Sequence, residues 1–268
     1  MKTKSPYLVH PGKHVRLAHL KTDENGGFSN EGAVAPVLVK HREQLSKLQE
    51  MLYAGEQKAV LVVLQGMDTA GKDGTIRHLF SGINPQGCQV SAFKVPTALE
   101  LRHDFLWRVH REVPPRGMIG IFNRSHYEDV LPPRVHKLIS HKVARQRMEA
   151  INRFEESLVE ADTVILKFFL HLSKEEQTRR LQSRLDDRDK HWKLSEADFK
   201  ERRFWSEYEA AYEEVLSETS RKHAPWYVIP SDHKWYRNLA ISKILVDAIG
   251  SLKLAYPQPT LDADSVKL

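Results

Sequence analysis

The chain has 268 residues, 41% of them hydrophobic and 28% charged, which is the composition of a globular protein that can bury a large core. Its longest aliphatic run covers only residues 60–64, its first residues lead into no apolar signal segment, and its single cysteine excludes a disulfide framework. We therefore expect a cytoplasmic protein without a membrane partner.

The positive charge of the chain is concentrated in one stretch. The formal net charge is +6, and residues 102–147 contain ten Lys and Arg against four Asp and Glu, together with five of the fourteen histidines. Such a stretch is typical either of a solvated face or of a surface that binds a polyanion. A partner of this stretch should be anionic.

Turn-forming residues mark the two ends of the chain. Residues 1–34 are polar and contain an Asn25-Gly26-Gly27 turn, so we predict an extended N-terminal arm. Residues 256–268 contain two prolines and are predicted to form a C-terminal tail. Since neither a repeat nor a low-complexity tract divides the remainder, we predict a single domain over residues 35–255.

Hydrophobic periodicity predicts the elements of this domain. Apolar residues at spacings of three and four predict a first helix over residues 37–53. Runs rich in Val, Ile, Phe or Leu predict five strands, at 59–65, 89–94, 117–122, 163–171 and 226–229. Further helical patterns cover 72–81, 98–112, 143–161, 174–184, 196–220 and 235–254. Because parallel strands need helical crossovers, we predict an α/β fold with a parallel five-stranded sheet flanked by helices, and ligands at the carboxyl ends of its strands.

A phosphate-binding loop follows the first predicted strand. Residues 66–75 contain the pattern G-x-x-x-x-G-K between a strand and a helix. Glycines let backbone N–H groups converge on a phosphate, the helix N-terminus adds partial positive charge, and Lys72 supplies a mobile, solvent-facing charge. The alternative is a glycine-rich turn with a chance lysine. We predict phosphate contacts from Gly66, Met67, Thr69, Ala70, Gly71, Asp73, Gly74 and Thr75.

Two carboxylates set this loop apart from the common pattern. Asp73 occupies the position that usually carries a magnesium-binding Ser or Thr, and Asp68 lies inside the loop. Carboxylates beside a phosphate chain repel it unless a cation lies between them, and Mg²⁺ binds both kinds of oxygen. Asp73 is also explained as a first-turn carboxylate that the helix dipole favours. We therefore predict Asp68 as a metal ligand or acid–base group.

The end of the third predicted strand supplies further candidates. Asn123 occupies the place where many phosphate-loop enzymes carry a magnesium-binding Asp, and Arg124, Glu128 and Asp129 follow it. Arg124 is predicted to face the phosphates with its planar guanidinium group. Glu128 is the predicted second metal ligand, although Asn123 could replace the usual Asp. The alternative is a charged loop without a catalytic role.

A cationic segment later in the chain, residues 179–196, is predicted to be a helical lid. It could close over the transferring phosphates, exclude water and neutralise developing charge. The alternative is a solvated helix whose cations pair with Asp186, Asp187 and Asp189. The predicted cations of the lid are Arg179, Arg180, Arg184, Arg188, Lys190 and Lys193.

Three segments together resemble the polyphosphate kinase 2 family. They are the loop at residues 66–74, the run Phe-Asn-Arg-Ser-His-Tyr-Glu-Asp at 122–129, and the lid sequence from Arg184 to Lys193, within a resemblance over residues 37–252. The resemblance implies a P-loop kinase fold similar to thymidylate kinase, with an arginine-bearing lid. It also implies reversible phosphoryl transfer between inorganic polyphosphate and nucleoside mono- and diphosphates, with Mg²⁺ or Mn²⁺ as cofactor.

Residue by residue, the resemblance implies roles for five side chains. Asp68 matches the family's loop aspartate, Lys72 its phosphate-binding lysine, Arg124 the arginine after the third strand, and Arg184 a lid arginine. Glu128 replaces the Asn of members that act on nucleoside diphosphates, and this variant resembles the class III subgroup, which phosphorylates AMP and ADP. We also expect a homo-oligomer that binds no nucleic acid.

Two other functions compete with this interpretation. An ATP-dependent nucleoside or nucleotide kinase would share the loop, the sheet and the lid. Asp68 and Asp73 argue against it, because a loop that grips the β-phosphate of ATP has little use for two carboxylates. A non-enzymatic binding module for nucleic acid or polyphosphate, built on residues 102–147, would leave the loop unexplained.

Overall fold

A computed structural model describes residues 5–261, so that residues 1–4 and 262–268, part of the predicted arm and most of the predicted tail, lie outside the described chain. The strands are β1 (Ala59–Gly66), β2 (Cys88–Ala92), β3 (Ile119–Asn123), β4 (Thr163–His171) and β5 (Trp226–Pro230). The helices are α1 (Glu31–Gly55), α2 (Lys72–Leu79), α3 (Trp107–His110), α4 (Leu131–Val135), α5 (His141–Glu160), α6 (Lys174–Asp186), α7 (Glu196–Glu201), α8 (Trp205–Thr219) and α9 (Lys234–Gly250).

The strands form one parallel sheet in the order β2-β3-β1-β4-β5, which confirms the predicted fold class. All eight residues of β1 are buried, as expected for a central strand covered on both faces. Alternate β1 side chains enter two separate cores: α1, α2 and α9 cover one face of the sheet, and α5 and α8 cover the other.

The register of the sheet determines where a site can form. Leu64 of β1 lies beside Asn123 of β3, and the Arg124 N–H donates to the Leu64 carbonyl at 3.0 Å. The loops that follow β1 and β3 therefore start side by side, at the edge where parallel sheets bind ligands.

The N-terminal arm packs along the edge of the sheet. Leu8 forms an antiparallel bridge with Tyr227 of β5, and Leu17 is buried at the start of a short 3₁₀ turn. The arm also ends earlier than its predicted limit at residue 34, because the Asn30 side chain caps α1 by accepting from the Ala33 N–H. Residues 251–261 form neither helix nor strand.

The predicted helix over residues 98–112 is wrong. Only a 3₁₀ turn (Glu100–Arg102) and the four residues of α3 are helical there. The Asp104 side chain accepts from the Leu106 N–H and offers the backbone an alternative to helical bonding. Leu99 and Leu101 are 55% and 71% exposed, so the first half of the segment has no buried apolar contacts that could stabilise a helix.

The predicted helix over 196–220 is also interrupted. A 3₁₀ turn (Arg202–Phe204) separates α7 from α8. The Arg202 guanidinium donates to Gln177 and Thr178 of α6, which fixes this turn against the start of the predicted lid. Within residues 5–261, every helix is too short or too polar to cross a bilayer.

Candidate active site

The loop between β1 and α2 depends on glycine at both ends. Gly66 has φ +155°, and a Cβ there would lie 2.9 Å from the Leu170 carbonyl oxygen of the neighbouring strand. Gly71 has φ +100°, in the left-handed region that L-residues rarely adopt. Between them Thr69 adopts φ +65°, a backbone conformation that is unfavourable for residues other than glycine. The predicted strand, loop and helix are all present in this order.

Lys72 does not face solvent, contrary to our expectation. Its side chain is only 9% exposed, and its Nζ donates to the Gly66 and Met67 carbonyl oxygens at 2.8 and 3.3 Å. Burial, and then the positive charge of Arg124, lower the pKa of Lys72 to about 8. The loop thus folds around its own lysine, and no carboxylate of the described chain lies at ion-pair distance from this ammonium group.

Asp68, Arg124 and Glu128 form one charged cluster. Arg124 adopts φ +61° directly after β3, and its two terminal nitrogens donate to Asp68 at 2.7 Å and to Glu128 at 3.1 Å. Burial alone would lower the pKa of Arg124, but the Glu128 and Asp68 carboxylates outweigh it and raise this pKa above its ordinary value. Asp68 and Glu128, which are predicted from separate motifs, therefore both contact Arg124.

Asp73 and Asn123 also come together. The Asn123 side-chain N–H donates to the Asp73 carboxylate at 2.5 Å, and this bond joins the first turn of α2 to the end of β3. These are the two positions at which many phosphate-loop enzymes bind magnesium with a hydroxyl and an Asp. The contact keeps these two positions adjacent, with a carboxylate in place of the hydroxyl and an amide in place of the Asp.

The oxygen donors at this edge fit a divalent ion only if phosphate completes its shell. Within residues 5–261 there is no group of three or more His, Cys, Asp or Glu side chains that could hold a metal. Asp68 and Glu128 each present a carboxylate, but both are bonded to Arg124. Mg²⁺ is commonly bound by one or two carboxylates together with substrate phosphate oxygens, and that arrangement suits this donor set.

A small cavity of about 40 Å³ opens beside the charged cluster. One wall consists of Trp205, Tyr208 and Tyr212, which project from α8 at spacings of three and four. Burial, and then the charge of Glu128, raise the pKa of Tyr212. The prediction missed this wall, and the aromatic spacing within residues 196–220 was the signal that could have found it.

The predicted lid cations separate into two groups. Arg180 is not on an accessible lid: it is 8% exposed and lies beneath the phosphate-binding loop, where its Nη1 donates to the Thr69 and Ala70 carbonyls at 3.1 Å. Burial of its guanidinium by the loop is the reason that this expectation fails. The other cations lie at or near the surface: Arg179 pairs with Glu176, Lys190 with Asp187, and Arg184 with Asp198, while Lys193 lies over the Trp192 ring and Arg188 is exposed.

Part of the basic stretch at residues 102–147 is engaged in contacts within the protein. Arg108 is buried and pairs with Asp129 at 2.9 Å, and Arg147 donates to the Asp129 carbonyl. Arg111 lies over the Trp107 ring. His126 is fully buried and contacts Glu155 at 3.0 Å. These contacts favour a structural role for the part of the stretch that they involve.

Comparisons with known proteins point to one family. The family model of polyphosphate kinase 2 matches residues 30–256. An AMP/ADP-polyphosphate phosphotransferase of Meiothermus ruber is 48% identical over 262 residues, covering 97% of this chain and 98% of that protein. An ADP-polyphosphate phosphotransferase of Rhodopseudomonas palustris is 45% identical over 272 residues, covering 97% and 94%. The crystal structure of polyphosphate kinase 2 from Arthrobacter aurescens superposes with a TM-score of 0.92 at 41% identity, covering 96% of this chain and 92% of that one.

Proposed function

The chain belongs to the polyphosphate kinase 2 family, and from this premise we propose that it transfers phosphoryl groups between inorganic polyphosphate and AMP or ADP, with Mg²⁺ or Mn²⁺ as cofactor. The proposal includes both steps, AMP to ADP and ADP to ATP, in either direction. We further propose a cytoplasmic homo-oligomer, in accord with the sequence-based expectation.

The observation that carries the proposal is the position of the charged cluster. Arg124 joins Asp68 of the loop after β1 to Glu128 of the loop after β3, directly beside the buried ammonium of Lys72. A polyphosphate chain against the loop would meet backbone N–H groups and Lys72. An acceptor in the neighbouring pocket would meet Glu128 and the aromatic wall of α8.

In this mechanism the residues position two anions and stabilise the charge that develops between them. Lys72 would exchange its bonds to the Gly66 and Met67 carbonyls for bonds to the donor phosphates. Arg124 would neutralise the phosphoryl group in transfer, because its planar donors suit phosphate oxygens. Glu128 would orient the acceptor phosphate oxygen.

Asp68 and Glu128 would hold the divalent ion together with phosphate oxygens. When bound, Mg²⁺ supplies positive charge that screens the carboxylates from the phosphate chain. The transferred group leaves the chain terminus and joins the oxygen of AMP, so that polyphosphate shortens by one unit for each ADP formed. We also propose that Arg184, at the surface beside Asp198, approaches the phosphates from the segment at residues 179–196.

An ATP-dependent nucleotide kinase remains the competing function, and one assay separates the two. The purified protein is incubated with AMP, polyphosphate and Mg²⁺ in the absence of ATP. We expect ADP first and then ATP, and no product when a chelator is in excess. A second arm offers ATP and AMP without polyphosphate. Product in the second arm alone would favour the competing kinase, and full turnover in chelator would contradict the metal requirement.

A further inference from the structure

Two buried arginines lie directly beneath the phosphate-binding loop. Arg180 projects from α6 and Arg237 from α9, and their side chains are 8% and 2% exposed. The Ala70 carbonyl accepts from Arg180 Nη1 at 3.1 Å and from Arg237 Nη1 at 2.9 Å. One peptide group of the loop is therefore held by two guanidinium groups on the side of the loop that faces the core.

Carboxylates of the described chain balance these two cations only in part. Glu176 pairs with Arg180 at 2.8 Å but also pairs with Arg179. The other donors of Arg237 bond the neutral side chain of Asn238, and no carboxylate of residues 5–261 forms an ion pair with it. Burial, and then the charge of Arg180, lower the pKa of Arg237 to about 9. A buried charge without a carboxylate partner disfavours folding. An anion bound to the loop would offset this cost.

The contact also fixes the direction of one loop amide. The described peptide bonds are all trans, and in a planar trans peptide the C=O and N–H groups point in opposite directions. Because the Ala70 carbonyl faces the arginines, the Gly71 N–H is turned away from them, at the N-terminus of α2. A Cβ on Gly71 would lie 2.1 Å from Arg237 Nη1, so glycine at this position makes room for the guanidinium group.

We propose that Arg237, supported by Arg180, is a positioning residue that raises the affinity of the loop for polyphosphate without touching it, by orienting the Gly71 amide and by a buried charge that the bound anion balances. This inference rests on the proposed function, because it takes polyphosphate as the ligand of the loop. The charge acts across one layer of backbone in a partly buried site, where screening by salt is weak.

The test measures equilibrium binding of polyphosphate by isothermal titration, together with KM, kcat and the thermal midpoint of the free protein. Arg237→Gln keeps a donor for Ala70 and removes the charge, whereas Arg237→Lys keeps the charge. Arg153→Gln removes the same charge from an exposed position on α5 and serves as the control. For Arg237→Gln we expect about tenfold weaker binding, a matching rise in KM, a smaller change in kcat and no fall in thermal midpoint.

Rescue by the charged variant decides between positioning and simple structure. Arg237→Lys should bind polyphosphate within a few-fold of the unaltered protein. Equal losses in the Gln and Lys variants, or equal losses in Arg237→Gln and Arg153→Gln, would overturn the inference. If Arg237→Gln does not fold, Arg237→Lys alone still decides, because a tenfold loss there contradicts a role of the charge. Failure of the unaltered protein to bind polyphosphate would instead refute the proposed function.

Discussion

Two buried lysines show how differently the same charge is treated in two parts of this molecule. Lys167 of β4 is fully buried, and its ammonium meets Glu155 at 2.5 Å, the Tyr127 hydroxyl at 3.0 Å and the Thr219 carbonyl at 2.8 Å. Lys72 at the start of α2 meets the carbonyls of Gly66 and Met67. In the core, the protein supplies the counter-charge itself.

In the phosphate-binding loop, Lys72 has no carboxylate of the described chain at ion-pair distance. The same holds for Arg237 beneath the loop. Burial opposes the charge of both lysines, since it is the leading cause that lowers their pKa values. Only for Lys167 does a contacting carboxylate oppose this effect. A buried cation with its own carboxylate stabilises structure, whereas one that faces only carbonyls is suited to an external anion.

The largest effect is expected when the loop lysine is removed. Lys72→Ala should lower turnover with polyphosphate by about 10³-fold, because the charge that meets the donor phosphates is lost. Steady-state rates and melting curves are compared with those of Lys222→Ala, which removes an exposed lysine. Near-normal turnover in a folded Lys72→Ala protein would remove the loop from the mechanism.

Breaking the compensated pair should instead affect folding. Glu155→Gln leaves the buried charge of Lys167 unpaired and should lower the free energy of unfolding by about 3–5 kcal/mol, measured by urea denaturation. Glu156→Gln changes the exposed neighbour and should have little effect. The double variant Glu155→Leu with Lys167→Met should recover much of the loss. A loss in Glu155→Gln no larger than in the Glu156 control would show that the pair is not needed for stability.

A smaller and more selective effect is expected at Glu128, which contacts Arg124 at 3.1 Å and lines the cavity beside the aromatic wall of α8. Glu128→Asn should depress phosphorylation of AMP about 10- to 100-fold more than that of ADP, because AMP needs a charged side chain to orient its single phosphate. Glu128→Gln keeps the length of the side chain and removes its charge, so that the two effects can be told apart. Equal losses on both acceptors, or none, would show that Glu128 does not determine acceptor choice.

The fold was predictable because its central strands are buried on both faces and read as continuous apolar runs. The limits of β4 agree with the prediction, and the other strands differ by at most two residues at either end. The prediction for residues 98–112 failed because Leu99 and Leu101 in the first half of the segment are exposed and Asp104 offers the backbone a local alternative. Such competition depends on the surrounding packing, which periodicity alone does not describe.

The candidate site was predictable only in part, for a related reason. Motif spacing identified Asp68, Lys72, Arg124 and Glu128, since the strand ends on which they lie follow from the parallel sheet. It could not show that Lys72 is buried or that Arg180 lies beneath the loop, because the burial of both side chains depends on how the loop packs in the folded protein. Arg237 was not singled out at all, as it lies more than 160 residues after Ala70, to which it donates.

Proton uptake on binding tests most directly whether the uncompensated cations of the loop bind polyphosphate. With a pKa of about 8, more than half of Lys72 is neutral at pH 8.5 in the free protein, and a bound phosphate chain should restore its proton. Because this pKa lies below the usual value, the stability of the free protein should rise with pH between about 8 and 10. Isothermal titration at pH 8.5, in two buffers of different ionisation enthalpy, measures the protons taken up. We predict uptake by the unaltered protein and both weaker binding and clearly smaller uptake in Lys72→Ala, in which only Arg237 can still gain a proton; equal affinity and equal uptake in the two proteins would contradict the account.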